Sequence, residues 1–258
     1  LPERSAELLG KNVKGGDFPL LIKLIDARDK LSVQVHPNDG NATLVNGEPK
    51  TEMWYFLDGD CNAQIYCGLK PGIGKQEFLQ AMENKTFADI LQVIPAEKGE
   101  AVFVPGGRVH AIGTGCLILE IQQNSNTTYR IYDWGRVDAN GKGRELHIDK
   151  ALQVIDWENN GDPRCVPKPF NAAGFQGLEI ESSPYFRLDR FELDSEAGFP
   201  MSGNSFHALF VAAGSGTIGW NDGEEKLVPG QSWLVPASLG AYRITPDVEL
   251  TLLRTTVP

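Results

Sequence analysis

DARDKLSVQVHPND, residues 26–39, is the stretch from which the rest of the chain can be read. Its centre, LSVQVH, alternates as a strand does, so Gln34 and His36 face one side and Val33 and Val35 the other. Pro37, Asn38 and Asp39 end the strand in a turn. An amide and an imidazole on one strand face are two donors to a cation, and the flanking sequence supplies two more. EMWYFLD, residues 52–58, reads as a strand opening on Glu52, and GEAVFVPGGRVHAIG, residues 99–113, carries His110 just past an apolar strand bracketed by glycine and proline. The two histidines and Glu52 are expected to converge on one metal.

Outward from these motifs the chain reads as short strands broken by turns, with a few helices inserted. Residues 18–26 form an apolar strand interrupted by Lys23, which either snorkels to solvent or enters a polar pocket. Residues 63–68 pair back on 52–58 across the GDCN turn. From Lys75 the period lengthens, and Phe78, Ala81 and Met82 suit one helix face. A second short helix is expected over 87–93 and a third over 148–156. Residues 163–169 read as a proline-rich linker, and strands and turns follow almost throughout. GEAVFVPGG and GQSWLVPAS, at 99–107 and 230–238, echo one another, each a strand ending in Val-Pro. The expected architecture is therefore all-β with inserted helices, as two related barrels in tandem over residues 1–162 and 163–258. Only the first holds a histidine at the position of His110, so the chemistry belongs there.

A chain of 258 residues folds without a disulfide or structural metal, so a metal here is functional. Four cysteines without a CxxC pattern read as reduced, buried thiols in the cytoplasm. No secretory signal or long apolar run occurs, which excludes a membrane span, and a net charge of −10 argues against a nucleic-acid surface while leaving room for a small anionic ligand held by inward-facing lysines and arginines. On spacing alone, satisfied core or surface histidines remain as open a reading as a zinc site. Arg130 could equally pair with Asp133 on the surface, and Lys50 could be an ordinary loop lysine. Glu120, in an apolar run, needs a partner if buried. His147 and His207 read as structural, and Trp54 and Tyr129 as core.

Residues 99–113 have the form G, five residues, P, one residue, G, two residues, H, which resembles the second motif of the cupin superfamily. FPLLIKLIDARDKLSVQVHPND, KTEMWYFLD, VFVPGGRVHAIG, LEIQQNSNTTYRIYDWGR and LHIDKALQVI together resemble the short bacterial type I mannose-6-phosphate isomerases, over almost the whole chain. The resemblance implies tandem cupin-type β-barrels of the jelly-roll kind and one Zn2+ per chain, held by Gln34, His36, Glu52 and His110. It places Arg130, Glu120 and Lys50 in the catalytic group, and Ser32, Lys23 and Arg136 near the substrate's phosphate. Relatives of this kind begin earlier, with a tryptophan-glycine block that is not found in these 258 residues, which reads as a natural short form or a shortened chain.

Moving a carbonyl between C1 and C2 of a sugar phosphate requires a base, a stabiliser of the enediolate charge and a hold on the phosphate. Arg130 suits the second role, and Glu120 or Lys50 could carry the proton. The implied protein is a cytoplasmic enzyme, a monomer or weak homodimer, acting on a small sugar phosphate. Two other readings stand beside it: a metal-containing cupin that binds sugar phosphate without turnover, and an iron-dependent cupin oxygenase, which an amide ligand such as Gln34 fits less well.

Overall fold

Short apolar runs separated by glycine and proline can bury themselves only by pairing, and they do so throughout the computed structural model, which describes residues 2–172 and 174–258. The protein is mostly β-sheet, with three short α-helices among the described residues. It divides into two units, one of residues 20–165 and one in which the segment ending at Pro19 joins Val166–Pro258. The boundary thus lies later than the expected 162/163, because residues 163–165 run beside the strand at 101–104. Phe103 N–H donates to Pro163 O (2.9 Å) and Cys165 N–H to Ala101 O (2.9 Å). The amino-terminal segment, including helix α1 (Ser5–Leu9), leaves the first unit: Asn12 N–H donates to Asn204 O (2.8 Å) and Phe206 N–H to Leu9 O (3.1 Å).

The unit of residues 20–165 is built on β1 (Leu20–Ala27), β2 (Val33–Val35), β3 (Glu52–Gly59), β4 (Gln64–Leu69), β5 (Leu91–Pro95), β6 (Ala101–Val104), β7 (His110–Ile112), β8 (Cys116–Gln123) and β9 (Tyr129–Tyr132). They form an antiparallel sheet in the order β1-β8-β3-β6 and a second in the order β5-β4-β7-β2-β9, so the expected hairpin of 63–68 on 52–58 does not form. The chain crosses between sheets at the GDCN turn, β3 pairing with β6 and β8 and β4 with β5 and β7. Trp54, Phe56, Val102 and Ile118 from the first sheet pack with Ile65, Cys67, Ile94 and Ile112 from the second in one buried cluster. Each large apolar side chain in it contributes roughly 1.5–3 kcal/mol.

Helix α2 (Lys75–Glu83) buries Phe78 and Ala81 on the expected face, and the Glu77 carboxylate accepts the Gly74 N–H at 3.0 Å to close its first turn. The helix expected over 87–93 is instead a single 3-10 turn, Phe87–Ile90, followed by β5. Ile94 pairs with Ile65 of β4, and burying Leu91 and Ile94 in a sheet outweighs the helical spacing of so short a run. Helix α3 (Ile148–Val154) is as expected. No helix among the described residues is long and apolar enough to cross a membrane. All four cysteines are free, but only Cys67 and Cys116 are buried; Cys61 is exposed.

The second unit carries β10 (Lys168–Ala172), β11 (Phe175–Ser182), β12 (Arg187–Leu193), β13 (Ala197–Pro200), β14 (His207–Ala213), β15 (Gly216–Trp220), β16 (Gly223–Leu227), β17 (Ser232–Val235), β18 (Ala241–Pro246) and β19 (Leu250–Thr256). They form a six-stranded sheet, β10-β11-β12-β19-β14-β17, and a four-stranded one, β13-β18-β15-β16. The two Val-Pro echoes each close a strand, β6 and β17, the first at the edge of a four-stranded sheet and the second at the edge of the six-stranded one.

His207 lies in this unit with Nδ1 2.9 Å from the Tyr242 hydroxyl. Burial, with the Arg254 charge adding, pushes its imidazole down to about 3 from an ordinary 6.5. The unfolded chain therefore takes up a proton near pH 6.5 that the folded unit refuses until about pH 3. Stability from this group falls as pH drops through that window, at up to roughly 1.4 kcal/mol per pH unit. Urea midpoints of His207→Gln are expected to decline less between pH 7 and pH 5 than those of the parent; parallel declines would refute this.

Candidate metal centre

Strand register aligns the candidate side chains in two rows. In the five-stranded sheet Cys67 pairs with His110, His110 with Gln34, and Gln34 with Arg130. In the four-stranded sheet Lys23 pairs with Glu120, and Glu120 with Trp54. Directly opposed residues present their side chains to one face, so each row lines one side of its sheet. The turn before β7 draws His36 towards His110. Gly107, at φ +97°, donates its N–H to His36 O at 2.7 Å. A Cβ on Gly106 would lie 2.6 Å from Pro37 O, so the two backbones meet only because glycine stands there.

His36, Glu52 and His110 converge, all buried, with candidate ligand atoms within 4.8 Å of one another. His36 Nε2 lies 3.4 Å from Glu52 Oε2, and His110 Nε2 lies 3.2 Å from Glu52 Oε1. His110 Nδ1 is 2.8 Å from the Arg108 carbonyl, which can only accept, so Nδ1 carries the proton and the neutral ring turns a lone pair on Nε2 towards Glu52. Neither Glu52 Oε1 nor His110 Nε2 has a hydrogen bond. Two facing acceptors, wholly buried and without a proton between them, repel unless a cation joins them. Ligands about 2.1 Å from a tetrahedral centre stand roughly 3.4 Å apart, so these separations fit a divalent metal. Lys50 Nζ, also buried, stands 3.0 Å from Glu52 Oε2 and 3.1 Å from His36 Nε2. Gln34, half-buried, pairs with His110 in register and also lines the neighbouring cavity.

The electrostatics favour ligand forms. Burial pushes His110 down to about 3 and, as the largest influence, holds His36 below its ordinary value, so both imidazoles are neutral near pH 7. Burial alone would raise Glu52, but Lys50, His110 and His36 together outweigh it and hold the carboxyl well below its usual range.

Glu120 is buried on the neighbouring row. Its Oε2 accepts from Lys23 Nζ at 2.6 Å and its Oε1 from the Trp54 indole N–H at 3.1 Å. Burial, with the Glu52 charge adding, raises its carboxyl above the ordinary value despite Lys23. Lys23 is thus neither snorkelled nor set beside Ser32 and Arg136. It ties Glu120 to Gln122, since cross-strand register puts its amine over the Glu120 carboxylate, and a buried carboxylate needs a counter-charge.

Ser32, Gln34, Arg130 and Arg136 line one cavity of about 520 Å³. Arg130 donates through Nε to Ser32 Oγ (3.4 Å) and through Nη1 to Glu145 O (2.8 Å), and its backbone exchanges hydrogen bonds with His147. It does not pair with Asp133, whose carboxylate is held by Arg144 and Arg136, Arg144 foremost, and brought down to about 2.

Trp54 does more than fill core, since its ring edge meets His110 with centroids 5.4 Å apart while its N–H holds Glu120. Its place two residues after Glu52 was the available signal. Arg108, buried and clamped to Asn159 and Gly161 O, also went unread, because its contribution to His110 is a backbone carbonyl that sequence does not mark.

Comparison with known proteins agrees with this geometry. Residues 2–58 match the model of the phosphomannose isomerase type I catalytic domain, a span that includes Gln34, His36 and Glu52. The chain is 36% identical over 244 residues to the mannose-6-phosphate isomerase ManA of Bacillus subtilis, spanning 94% of this chain and 76% of that one. It is 35% identical over 252 residues to the mannose-6-phosphate isomerase of Streptococcus mutans, at 95% and 76% coverage. The crystal structure of the mannose 6-phosphate isomerase from Bacillus subtilis superposes with a TM-score of 0.85 at 32% identity, over 94% of this chain and 76% of that one. With relatives this similar over three quarters of their own length, and with the buried His-Glu-His cluster in place, the chain belongs to the mannose-6-phosphate isomerase family.

Proposed function

We propose that this chain interconverts mannose 6-phosphate and fructose 6-phosphate through an enediol intermediate, with one Zn2+ held by Gln34, His36, Glu52 and His110, on a tandem cupin-type barrel scaffold. The observation that carries the metal site is the pair of facing acceptors, His110 Nε2 and Glu52 Oε1, 3.2 Å apart and buried. When bound, zinc supplies a Lewis acid for the sugar's carbonyl and hydroxyl oxygens. The protein does the rest. Arg130, across the strand pair from Gln34, offers a guanidinium to the negative charge that develops on the enediolate oxygens. Lys50 at Nζ and Glu120 at its carboxyl are the site's exchangeable protons for the transfer between C1 and C2. The cationic cavity beside Gln34 receives the phosphate, with Ser32 and Arg136 on its wall. The family relationship favours isomerisation over an oxygenase.

A coupled assay reporting fructose 6-phosphate from mannose 6-phosphate is expected to show turnover that a chelator removes and a stoichiometric divalent metal restores. Undiminished turnover after complete metal removal would refute the metal-dependent reading. Calorimetric binding of the sugar phosphate with no isomerisation would select the non-catalytic alternative.

A further inference from the structure

The cavity beside Gln34 is lined by five cationic side chains against two carboxylates, a local excess in a chain whose net charge is −10. A phosphate dianion needs donors that converge and are not already engaged. Arg136, the guanidinium marked by the resemblance, has four of its five N–H donors engaged. Its Nε donates to Asp133 O (3.3 Å), its Nη1 to Lys30 O (2.6 Å) and the Asp29 carboxylate (3.2 Å), and its Nη2 to Asp133 Oδ1 (2.5 Å). It is a clasp between the 133–136 turn and the loop that leads into Ser32.

Arg144 lines the same cavity and is differently disposed. The Asp133 carboxylate takes its Nε (2.7 Å) and its Nη2, which fixes the plane of the guanidinium and leaves Nη1 without a protein partner among the described residues. Its side chain is half exposed, hence reachable from solvent. The next residue, Glu145, gives its carbonyl to Arg130 Nη1, so the chain itself sets Arg144 next to Arg130, whose Nη2 is also unengaged among the described residues. Ser32 Oγ accepts from Arg130 Nε and keeps its own hydrogen to donate.

We infer that Arg144, oriented by Asp133 and acting with the Ser32 hydroxyl, binds the substrate's phosphate beside Arg130, which is kept for the enediolate, and that Arg136 is the loop's structural clasp. The inference rests on the isomerase reading for its substrate. It gives Asp133 a role: its two oxygens hold one edge of Arg144 and leave the other edge, Nη1, free.

The test titrates inorganic phosphate into the zinc-loaded chain by calorimetry, alongside steady-state kinetics on mannose 6-phosphate. Losing a hydrogen bond to a charged group costs about 1.5–3 kcal/mol, so Arg144→Gln should weaken phosphate binding and raise KM by roughly tenfold to hundredfold. Because the contact is made in ground and transition states alike, kcat should change by less than about threefold. Arg144→Lys, keeping charge without the fork, should recover part of the loss. Arg136→Gln should lower the melting temperature and disturb phosphate affinity less than Arg144→Gln does. Phosphate affinity within about twofold of the parent in Arg144→Gln would overturn the assignment. A parent chain that binds phosphate but does not isomerise would instead count against the isomerase reading, with the calorimetric comparison still deciding Arg144.

Discussion

Replacing Glu52 by Gln is expected to strip the chain of its metal and to lower turnover by about three orders of magnitude or more. The substitution keeps the shape of the side chain and removes only the charge. Glu52 is the one anionic donor in the proposed set, whose other members, Gln34, His36 and His110, are neutral near pH 7, and it is wholly buried. Lys50 Nζ, 3.0 Å away, then faces the same point without a counter-charge and repels an incoming dication. A Lewis acid at a carbonyl oxygen is worth several kcal/mol to the transition state, and each 1.36 kcal/mol is about a factor of ten in rate. Metal content by mass spectrometry and turnover by the coupled assay should fall together. Breaking a buried ion pair costs about 3–5 kcal/mol, so loss of fold has to be separated from loss of metal. The double variant Glu52→Gln, Lys50→Met removes the stranded ammonium and should stay folded by circular dichroism while remaining metal-free. A folded single variant holding one metal per chain, with activity within about tenfold of the parent, would show that the ligand set is wrong.

How far the site could be read beforehand follows from where each residue's constraint lies. Gln34 and His36 were legible because period two is a local property of VQVH, and Glu52 and His110 because aromatic and glycine-rich flanks mark a strand and a turn. Gly106 and Gly107 show what the glycines do: they let the turn touch the backbone just after His36. Lys23 was not legible, because its partner Glu120 lies in β8, far along the chain, and only the antiparallel register joins them. The second unit shows the same limit. β13 is four residues, AGFP, ending in proline, too short for its alternation of Ala197 and Phe199 to stand out, and β16 reads GEEKL with no apolar alternation; both are edge strands. Arg144 sits in GKGRELH, a polar loop with no periodicity, and gains meaning only from Asp133 in space.

Arg130 is the second residue on which turnover should depend steeply, with a signature opposite to that of Glu52. It sits in register with Gln34, one strand from His110, yet none of its nitrogens contacts Glu52 or either metal-facing imidazole among the described contacts. Arg130→Gln should therefore keep its metal while kcat falls by roughly a hundredfold to a thousandfold, the usual loss when a charge-stabilising donor is removed from a developing oxyanion. A guanidinium keeps its proton under any condition the fold tolerates, so the loss should be the same at every pH from 6 to 9, unlike that of a missing proton carrier. Arg130 also holds Ser32 Oγ and Glu145 O, so KM should rise as the cavity wall loosens, but by less than kcat falls. Arg130→Lys separates the two effects: it restores charge without the fork, and should regain part of kcat while the contacts to Ser32 and Glu145 stay broken. Metal analysis, a pH profile and the split between kcat and KM test this together. If kcat of Arg130→Gln stays within about threefold of the parent at full metal occupancy, the enediolate charge is stabilised by some other group.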